Sequence, residues 1–383
     1  MNRRDLLVVA GEASGDLHAA ALVGALAARR PELRFFGLGS ERMAAAGVEL
    51  LADAAEISVM GIVEAIGVLA RARELIDRLT AETERRRPAA AILVDFPEFN
   101  LRLAQRLRWL GVPVVYYVSP QIWAWRRWRV RGIVEAVDRM LVLFPFEVPF
   151  YRQHGARVVH VGHPLVDEVP ELEQAWDRLA PGQLPARYHV ALLPGSRRGE
   201  FEALMPLELE SVARLARDLP VRATVVRAAS IPRRRVEEAI ARYDHLPIEI
   251  ADEGRFEVIA SAHLALCASG TATLETGLLG TPQLVLYRLS PLSWRLARLL
   301  VRVRHASLVN LVLDKPAVPE LLQAEAEPAR VAARALELLR SRTAIDRMRA
   351  ELAGLRPRLG APGATGRAAD EVLGLLDERE RAA

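Results

Sequence analysis

Two turns in the second half of the chain have residues suited to binding a phosphate. The first lies in "ASGTATLE", where Ser269, Gly270 and Thr271 connect an apolar stretch to a helical one. Free backbone N–H groups and the helix dipole at such a turn favour phosphate. Glu275, about one turn further along, could accept hydrogen bonds from ribose hydroxyls. A helix with an ordinary Ser/Thr cap explains the same residues, so both interpretations stay open.

The second turn lies in "LLPGSRRGE", where Pro194 and Gly195 reverse the chain after an apolar run. Ser196 and Arg197 then project from the end of a predicted strand, and the Arg197 guanidinium could grip a diphosphate with two hydrogen bonds. The alternative for Arg197 is a surface ion pair with Glu200, three residues further on in a helix.

A carboxylate marks the first half of the chain at "ILVDFPEFN". Asp95 follows a predicted buried strand, where a partly desolvated carboxylate could act as a general base or could cap the next helix. Glu98 fits the positive end of that helix, and Asn100 is expected to point outward or to cap.

The stretch "VVAGEASGDLHAA" resembles a nucleotide loop but lacks the G-x-G-x-x-G spacing. Glu12 and Asp16 would repel a pyrophosphate there. We therefore interpret it as a sugar site, in which Gly11, Ser14 and Gly15 let a sugar approach the backbone while the two acids bind hydroxyls. The missing fingerprint also disfavours a Rossmann oxidoreductase.

Aromatic residues and arginines follow another predicted strand in "YYVSPQIWAWRRWRVRG". Ser119 ends the strand and is a candidate substrate contact. Trp123, Trp125 and Trp128 could pack in the core, stack on a sugar or lie at a lipid interface. His163 in "VGHPLVD" fits either a substrate contact or a structural turn.

The composition excludes several classes of protein. The single cysteine, Cys267, rules out a disulfide framework within the chain, and no Cys/His cluster has zinc spacing. Lys315 is the only lysine, so no P-loop exists, and no apolar run of about 18 residues could span a bilayer. The net charge of +4 favours anionic substrates or a membrane surface over nucleic acid. A cytoplasmic protein without a signal peptide is expected.

Short apolar runs alternate with helical stretches along the whole chain, which predicts α/β halves with buried parallel sheets. Pro and Gly residues after residue 168 indicate a linker. We expect a first domain at 1–168, a linker at 169–186, a second domain at 187–342 and terminal helices at 343–383. Ligands in such sheets bind at the carboxyl ends of strands, here in an interdomain cleft.

Taken together, these motifs resemble the lipid-A-disaccharide synthase family of inverting glycosyltransferases with the GT-B fold. The matching stretches occur in family order: "AGEASGDLHAA", "SVMGIVEAIG", "DFPEFN", "YVSPQIWAWR", "FPFE", "VGHPL", "LLPGSRRGE", "ASGTATLE" and "SLVNLV". Departures are small, such as Val309 for a frequent proline and Glu98 for a frequent aspartate.

The resemblance implies transfer of 2,3-diacylglucosamine from its UDP derivative to the 6-hydroxyl of 2,3-diacylglucosamine 1-phosphate. Asp95 matches the family's proposed base, Arg197 would stabilise the leaving diphosphate, and Asn310 matches a position near the nucleotide. No D-x-D is present, so metal-independent turnover without a cofactor is expected. The terminal helices are expected to pack back on the first domain, as is common in GT-B folds.

Acylated substrates also give a role to apolar and basic segments. The expected acyl or membrane contacts are Val59, Met60, Ile62, Val63, Trp123, Trp294, Arg295, Arg298 and Arg302. The last four lie on "PLSWRLARLLVRVR", an amphipathic pattern that also fits a core helix with a solvated arginine face. We expect peripheral association with the inner face of the inner membrane.

Three competing functions remain. They are another GT-B transferase with a UDP-N-acetylglucosamine-type donor, a UDP-sugar epimerase, and a non-catalytic nucleotide-sugar-binding protein. The first two share the nucleotide motifs, but an epimerase needs no acyl-binding surface. The third would not need Asp95. The sequence leaves the oligomeric state open.

Overall fold

The computed structural model describes residues 2–56, 65–289 and 304–382, and the chain divides into two compact units. Unit 1 comprises Met1–Pro164 and Gly360–Ala383, and unit 2 comprises Leu165–Leu359. The segment at 169–186, expected to be a linker, is part of unit 2, where Trp176 is fully buried and donates a hydrogen bond to the His263 carbonyl (2.8 Å).

Unit 1 is built on seven parallel strands. They are β1 (Asn2–Ala10), β2 (Arg34–Gly39), β3 (Val48–Asp53), β4 (Pro88–Val94), β5 (Val114–Tyr117), β6 (Arg139–Val142) and β7 (Val158–His160). Their order in the sheet is β3-β2-β1-β4-β5-β6-β7. Ala10 pairs with Val94 and Val94 with Tyr117, so β1, β4 and β5 end side by side.

Helices cover the sheet of unit 1. They are α1 (Ala13–Arg29), α2 (Glu41–Ala45), α3 (Ala65–Arg86), α4 (Pro97–Trp109), α5 (Ile122–Trp125), α6 (Val130–Ala136) and α7 (Glu147–Arg152), with 3-10 turns at Ala54–Glu56 and Arg127–Arg129. The C-terminal helix (Ala364–Ala382) completes this layer. Its Val372 and Leu376 share one buried cluster with Leu6 and Val8 of β1.

Unit 2 has a second parallel sheet of six strands. They are β8 (Tyr188–Leu193), β9 (Val221–Val226), β10 (Ile248–Ala251), β11 (Leu264–Ala268), β12 (Gln283–Tyr287) and β13 (Glu320–Leu322). Their order is β10-β9-β8-β11-β12-β13. Leu193 pairs with Cys267, so β8 and β11 end as neighbours.

The helices of unit 2 follow its strands and then extend beyond them. They are α8 (Leu165–Glu168), α9 (Arg198–Leu215), α10 (Arg233–Ile240), α11 (Arg255–Ala260), α12 (Thr271–Leu278), α13 (Leu308–Leu313), α14 (Pro328–Leu339), α15 (Arg342–Leu352) and α16 (Leu355–Leu359), with 3-10 turns at Ala175–Arg178 and Ala241–Tyr243. No helix in the described parts of the chain is long and apolar enough to cross a membrane.

The predicted pair of parallel α/β halves is confirmed. All residues of β4 and β8 are buried, which explains why their sequences are continuous apolar runs. The prediction missed β3 and β13. Both lie at sheet edges and are only partly buried, so neither gives a continuous apolar signal.

One buried carboxyl lacks a partner in the core of unit 2. Glu208 on α9 is fully buried, and neither of its side-chain oxygens has a hydrogen-bond partner among the described residues. Burial raises the pKa of Glu208 well above its ordinary value of 4.5. The folded protein therefore holds a proton on Glu208 that the unfolded chain releases above that pH.

We predict that Glu208→Gln removes a pH-dependent cost of folding. As pH rises from 4.5 toward the raised native pKa, the wild type should lose stability relative to the variant by up to about 1.4 kcal/mol per pH unit. Urea unfolding at several pH values measures the difference. Glu210→Gln, on the same helix but ion-paired with Arg214, is the control and should show no such trend. Parallel pH profiles for wild type and Glu208→Gln would contradict the prediction.

Candidate functional site

Asp95 directly follows β4, and the backbone there is left-handed at two successive residues. The angle φ is 47° at Asp95 and 49° at Phe96, and Val118, after the neighbouring strand β5, has φ 65°. Such angles cost a non-glycine residue about 1–3 kcal/mol and persist only where the surroundings impose them. Three of them at the ends of adjacent strands mark this sheet edge as a candidate site.

Three hydrogen bonds hold the Asp95 backbone. Its N–H donates to the Tyr117 carbonyl (2.9 Å), and its carbonyl accepts from the Tyr116 hydroxyl (2.6 Å) and from Asn100 Nδ2 (2.8 Å). Burial raises the pKa of Tyr116, so its hydroxyl keeps the donated proton. The half-buried Asp95 therefore starts from a fixed main chain, which suits a group that must meet a reacting proton. Asn100 was expected to point outward or to cap. It is fully buried, and its amide donates to the Asp95 carbonyl.

Gly11 packs against the ring of Phe96. A Cβ at Gly11 would lie 2.2 to 2.5 Å from three Phe96 ring atoms, so only glycine leaves room for the ring. The structure thus gives Gly11 a packing role, and the predicted approach of a sugar to its backbone stays a prediction. Gly15 differs, because a Cβ there would meet its nearest neighbours, Ala10 and Val94, at 3.6 Å.

Glu12 and Asp16, the two acids of the segment that follows β1, have different surroundings. Asp16 is buried, and its carboxylate accepts hydrogen bonds from the backbone N–H groups of Ser40 (2.7 Å) and Arg42 (3.2 Å). It therefore caps α2, which corrects its predicted role as a ligand for sugar hydroxyls. Glu12 and Ser14 are exposed, so their predicted contact with substrate remains open.

Glu147 is the residue of unit 1 that sequence reasoning missed. It is buried and accepts hydrogen bonds from Ser119 Oγ, from Trp123 Nε1 (3.1 Å) and from the Phe144 N–H (3.1 Å). Burial raises the pKa of Glu147 to about 7. The only signal was its place in "FPFE", whose acid has no chemical context until β5 and β6 lie side by side.

Two predicted site residues are bound to Glu147. Ser119 and Trp123 both use their side-chain donors on Glu147 and are buried. Trp123 was predicted to contact acyl chains or the membrane, and this burial removes it from the surface. His163 is also buried, and its burial, together with the nearby His18 and His160, lowers its pKa to about 3. It is therefore a neutral imidazole.

In unit 2 the two predicted phosphate turns lie together. They follow the neighbouring strands β8 and β11, and a Cβ at Gly195 would lie 3.4 Å from Ala268 Cβ. Arg197 is the N-cap residue of α9, and Gly270 is the N-cap residue of α12. Among the described residues outside its own turn, no atom lies within 4 Å of a Cβ built at Gly270. Two helix N-termini at one sheet edge suit an anionic group.

The charged residues at these turns have partners. The Arg197 side chain is 78% exposed and pairs with Glu200 at 3.2 Å, which is the surface ion pair named above as its alternative. Glu275 is mostly buried, and Arg255 lies 3.1 Å from its Oε1. Burial raises the pKa of Glu275.

Asn310 has a structural role in unit 2. Its amide donates to the Val318 carbonyl and to Glu320 Oε1 (both 2.8 Å), and its Oδ1 accepts from the Val318 N–H (2.9 Å). The Glu320 carboxylate also accepts from the N–H groups of Ala306 and Ser307 (both 2.9 Å). Ser269 Oγ donates to the Ala306 carbonyl (2.9 Å). Asn310, predicted to lie near the nucleotide, therefore helps to fix a segment bonded to the phosphate turn, and Glu320 is a second residue that sequence reasoning missed.

A cavity of about 950 Å³ lies along α9 in unit 2. One end reaches Arg197 and Gly199, and its lining includes Ala203, Leu207 and Tyr243. No group of three or more His, Cys, Asp or Glu side chains in the described ranges is arranged to hold a metal ion.

Eight of the predicted acyl or membrane contacts fall outside the described residues. They are Val59, Met60, Ile62, Val63, Trp294, Arg295, Arg298 and Arg302.

Comparison with known proteins gives the same family along nearly the whole chain. The family model described as Lipid-A-disaccharide synthetase matches residues 6–354. A lipid-A-disaccharide synthase of Myxococcus xanthus is 47% identical over 97% of this chain and 97% of its own length. One of Syntrophus aciditrophicus is 42% identical over 99% of this chain and 100% of its own.

Solved structures agree on the fold. The calicheamicin glycosyltransferase CalG4 has a TM-score of 0.58 at 18% identity, covering 98% of this chain and 99% of that one. A structure of S. aureus MnaA with UDP has a TM-score of 0.65 at 13% identity, covering 98% and 97%. These likenesses confirm the predicted GT-B fold class.

We predict that alanine has opposite effects on stability at Gly11 and Gly15, the two glycines that follow β1. Gly11→Ala should displace the Phe96 ring, lower stability by about 1–3 kcal/mol and disturb the turn at Asp95. Gly15→Ala, the matched control, has room for its methyl group and should keep or slightly raise stability. Thermal unfolding measures both. Activity lost in Gly15→Ala at full stability would support a close substrate approach there, and a stable Gly11→Ala protein would contradict the packing role.

Proposed function

The chain belongs to the lipid-A-disaccharide synthetase family, and from this premise we propose how its residues divide the transferase reaction. The protein is a glycosyltransferase that makes the lipid A disaccharide. The donor in our proposal is UDP-2,3-diacylglucosamine and the acceptor is 2,3-diacylglucosamine 1-phosphate. The observation that carries the division of roles is the contrast between the two sheet edges. In unit 1 the Asp95 carboxyl projects from a fixed backbone, and in unit 2 two helix N-termini lie together.

The donor's diphosphate binds unit 2 in this proposal. Backbone N–H groups at Gly270 and Thr271 face the phosphates, whereas the Ser269 N–H is held by the Leu286 carbonyl (3.1 Å). Arg197 leaves Glu200 to make a charge-assisted contact with the phosphates. The exposure of Arg197 and its weak i,i+3 partner support this exchange, because such surface pairs contribute only a few tenths of a kcal/mol. Ser196 lies at the same turn. Glu275 accepts hydrogen bonds from the ribose hydroxyls.

The acceptor binds unit 1 in this proposal, with its 6-hydroxyl at Asp95. The Asp95 carboxylate removes the hydroxyl proton as the acceptor oxygen attacks C1 of the donor sugar. The new C1–O bond forms on the face opposite UDP, and the electron pair of the breaking bond leaves with the diphosphate. The configuration at C1 therefore inverts. Positive charge and helix dipoles on unit 2 stabilise the departing diphosphate.

The lipid nature of both substrates supports peripheral association with the cytoplasmic face of the inner membrane. Both proposed substrates carry acyl chains that partition into bilayers. The cavity along α9 is lined by Arg197 and also by Ala203, Leu207 and Leu289, and in this proposal part of a donor acyl chain lies against these apolar residues.

We predict that Asp95→Asn lowers kcat by about 10²–10⁴-fold, the usual contribution of a positioned base. The purified protein is given both proposed substrates, and UDP and disaccharide are followed together. UDP should bind the variant as tightly as the wild type, because Asp95 lies on the other unit from the proposed donor site. No disaccharide from the wild type would reject the proposed substrates.

Glu12→Gln is the matched comparison for Asp95→Asn. Asp16 is bound to the N-terminus of α2, so Glu12 is the exposed acid after β1 that could replace Asp95 as base. An active Asp95→Asn together with an inactive Glu12→Gln would move the base to Glu12.

We predict that turnover persists in excess EDTA. Arg197 and the two helix N-termini supply the positive potential that a divalent ion provides in enzymes with a D-x-D motif. The initial rate with EDTA should match the rate with added Mg²⁺. A rate lost in EDTA and restored by Mg²⁺ would overturn the metal-free mechanism.

A further inference from the structure

The segment that follows Trp123 exposes large aromatic side chains among arginines. Trp125 is 37% exposed and Trp128 is 69% exposed, and Arg127 and Arg131 are exposed beside them in the chain. We call these four residues the tryptophan–arginine face. Two exposed tryptophans and two exposed arginines on one short segment form an apolar and basic patch, a composition typical of interfacial binding.

We propose that the tryptophan–arginine face of unit 1 docks onto the surface of an anionic lipid bilayer. This inference rests on the proposed lipid substrates and adds the residues that hold the protein to the membrane containing them. It also replaces Trp123, which is buried, with Trp125 and Trp128.

The charge of the segment matches an anionic surface. Residues 121–132 contain four arginines and no acidic residue. The Arg126 guanidinium lies over the Trp125 ring, 3.9 Å from its centroid, and Arg126 and Arg129 both contact Glu98 (2.5 and 2.7 Å). That carboxylate is thereby paired. Arg131 is exposed, and Arg127 is exposed while its Nε is bound to the Trp123 carbonyl. Indole rings at the headgroup level with arginines facing phosphates are typical of interfacial binding.

Buried residues anchor the segment that carries the tryptophan–arginine face. Ile122 and Trp123 are buried under it, and the Trp123 indole is hydrogen-bonded to Glu147. Arg127 Nε donates to the Trp123 carbonyl (3.0 Å). The exposed rings therefore project from a short structured segment that is anchored in the core, and ordering them on a membrane costs little extra entropy.

The face also lies close to Asp95 in the fold of unit 1. Glu98, which receives Arg126 and Arg129, is in the first turn of α4, and that helix begins directly after the Asp95–Phe96 turn. A bilayer bound at this face would place lipid headgroups next to the proposed base. An acceptor could then offer its hydroxyl to Asp95 while its acyl chains remain in the membrane.

The test uses the full-length protein and vesicles without either substrate. Vesicles containing phosphatidylglycerol are compared with vesicles of phosphatidylcholine alone in a co-sedimentation assay. Trp125→Ala/Trp128→Ala should weaken partition to the anionic vesicles by about tenfold or more, since two rings no longer leave water. Arg127→Gln/Arg131→Gln should weaken it by about fivefold per arginine, with little effect on neutral vesicles.

Trp109→Ala is the matched control, because Trp109 is 91% exposed at the far end of α4, outside the face. It should bind vesicles like the wild type. Thermal unfolding confirms that each variant is folded. The transferase rate with detergent-dispersed substrates should stay within about twofold in all of them, since the face acts on the membrane and not on the reaction.

Three outcomes would overturn the proposal. They are wild-type vesicle binding by Trp125→Ala/Trp128→Ala, an equal loss in Trp109→Ala, and a raised acceptor KM in detergent with unchanged vesicle binding, which would mean contact with the substrate's acyl chain only. Because binding is measured without substrates, a protein that binds vesicles through this face but makes no disaccharide would reject the proposed substrates and leave the face standing.

Discussion

The left-handed turn that ends β4 is the constraint on which the rest of unit 1 depends. Two successive non-glycine residues, Asp95 and Phe96, adopt a backbone that is costly for them. The turn persists because β5 and α4 hold its main chain and because Phe96 has room only against a glycine, Gly11. The end of β1, the end of β4 and the hydroxyl of β5 thus determine one another. As a result, the backbone from which the Asp95 carboxylate projects is fixed at the edge of the sheet.

Unit 2 meets a different demand with backbone and fixed hydrogen bonds. Its two helix N-termini come together because β8 and β11 are neighbours in the sheet, although about seventy residues separate the two turns in the chain. The phosphate turn is then bonded through Ser269 to a segment held by Glu320 and Asn310. A site preorganised in this way need not reorganise as charge moves onto the leaving diphosphate.

Each unit contains a buried glutamate, and the two differ in their hydrogen-bond partners. Glu147 gathers donors from β5, α5 and the end of β6, and so it fixes the base of the segment that carries Trp125 and Trp128. Glu208 has no such partners in the described structure, and its pKa is raised because burial disfavours the charged carboxylate. Glu147 therefore organises the residues around it, whereas the burial of Glu208 lowers the stability of the core.

The sequence by itself determined the alternating parallel halves, the strand ends at which Asp95, Arg197 and Ser269 lie, and the family. These follow from local signals: apolar runs fix buried strands, and a turn directly after such a run must lie at the sheet edge. Edge strands β3 and β13 escaped because only part of each is buried. Tertiary structure alone decided which polar side chains are free. Asp16 caps α2, Asn310 fixes the segment around Val318, and Trp123 is buried with its indole bound to Glu147. The partners in these bonds lie 8 to 24 residues apart in the chain and meet only in the folded protein. No local pattern records which neighbour will take a side chain's hydrogen bonds.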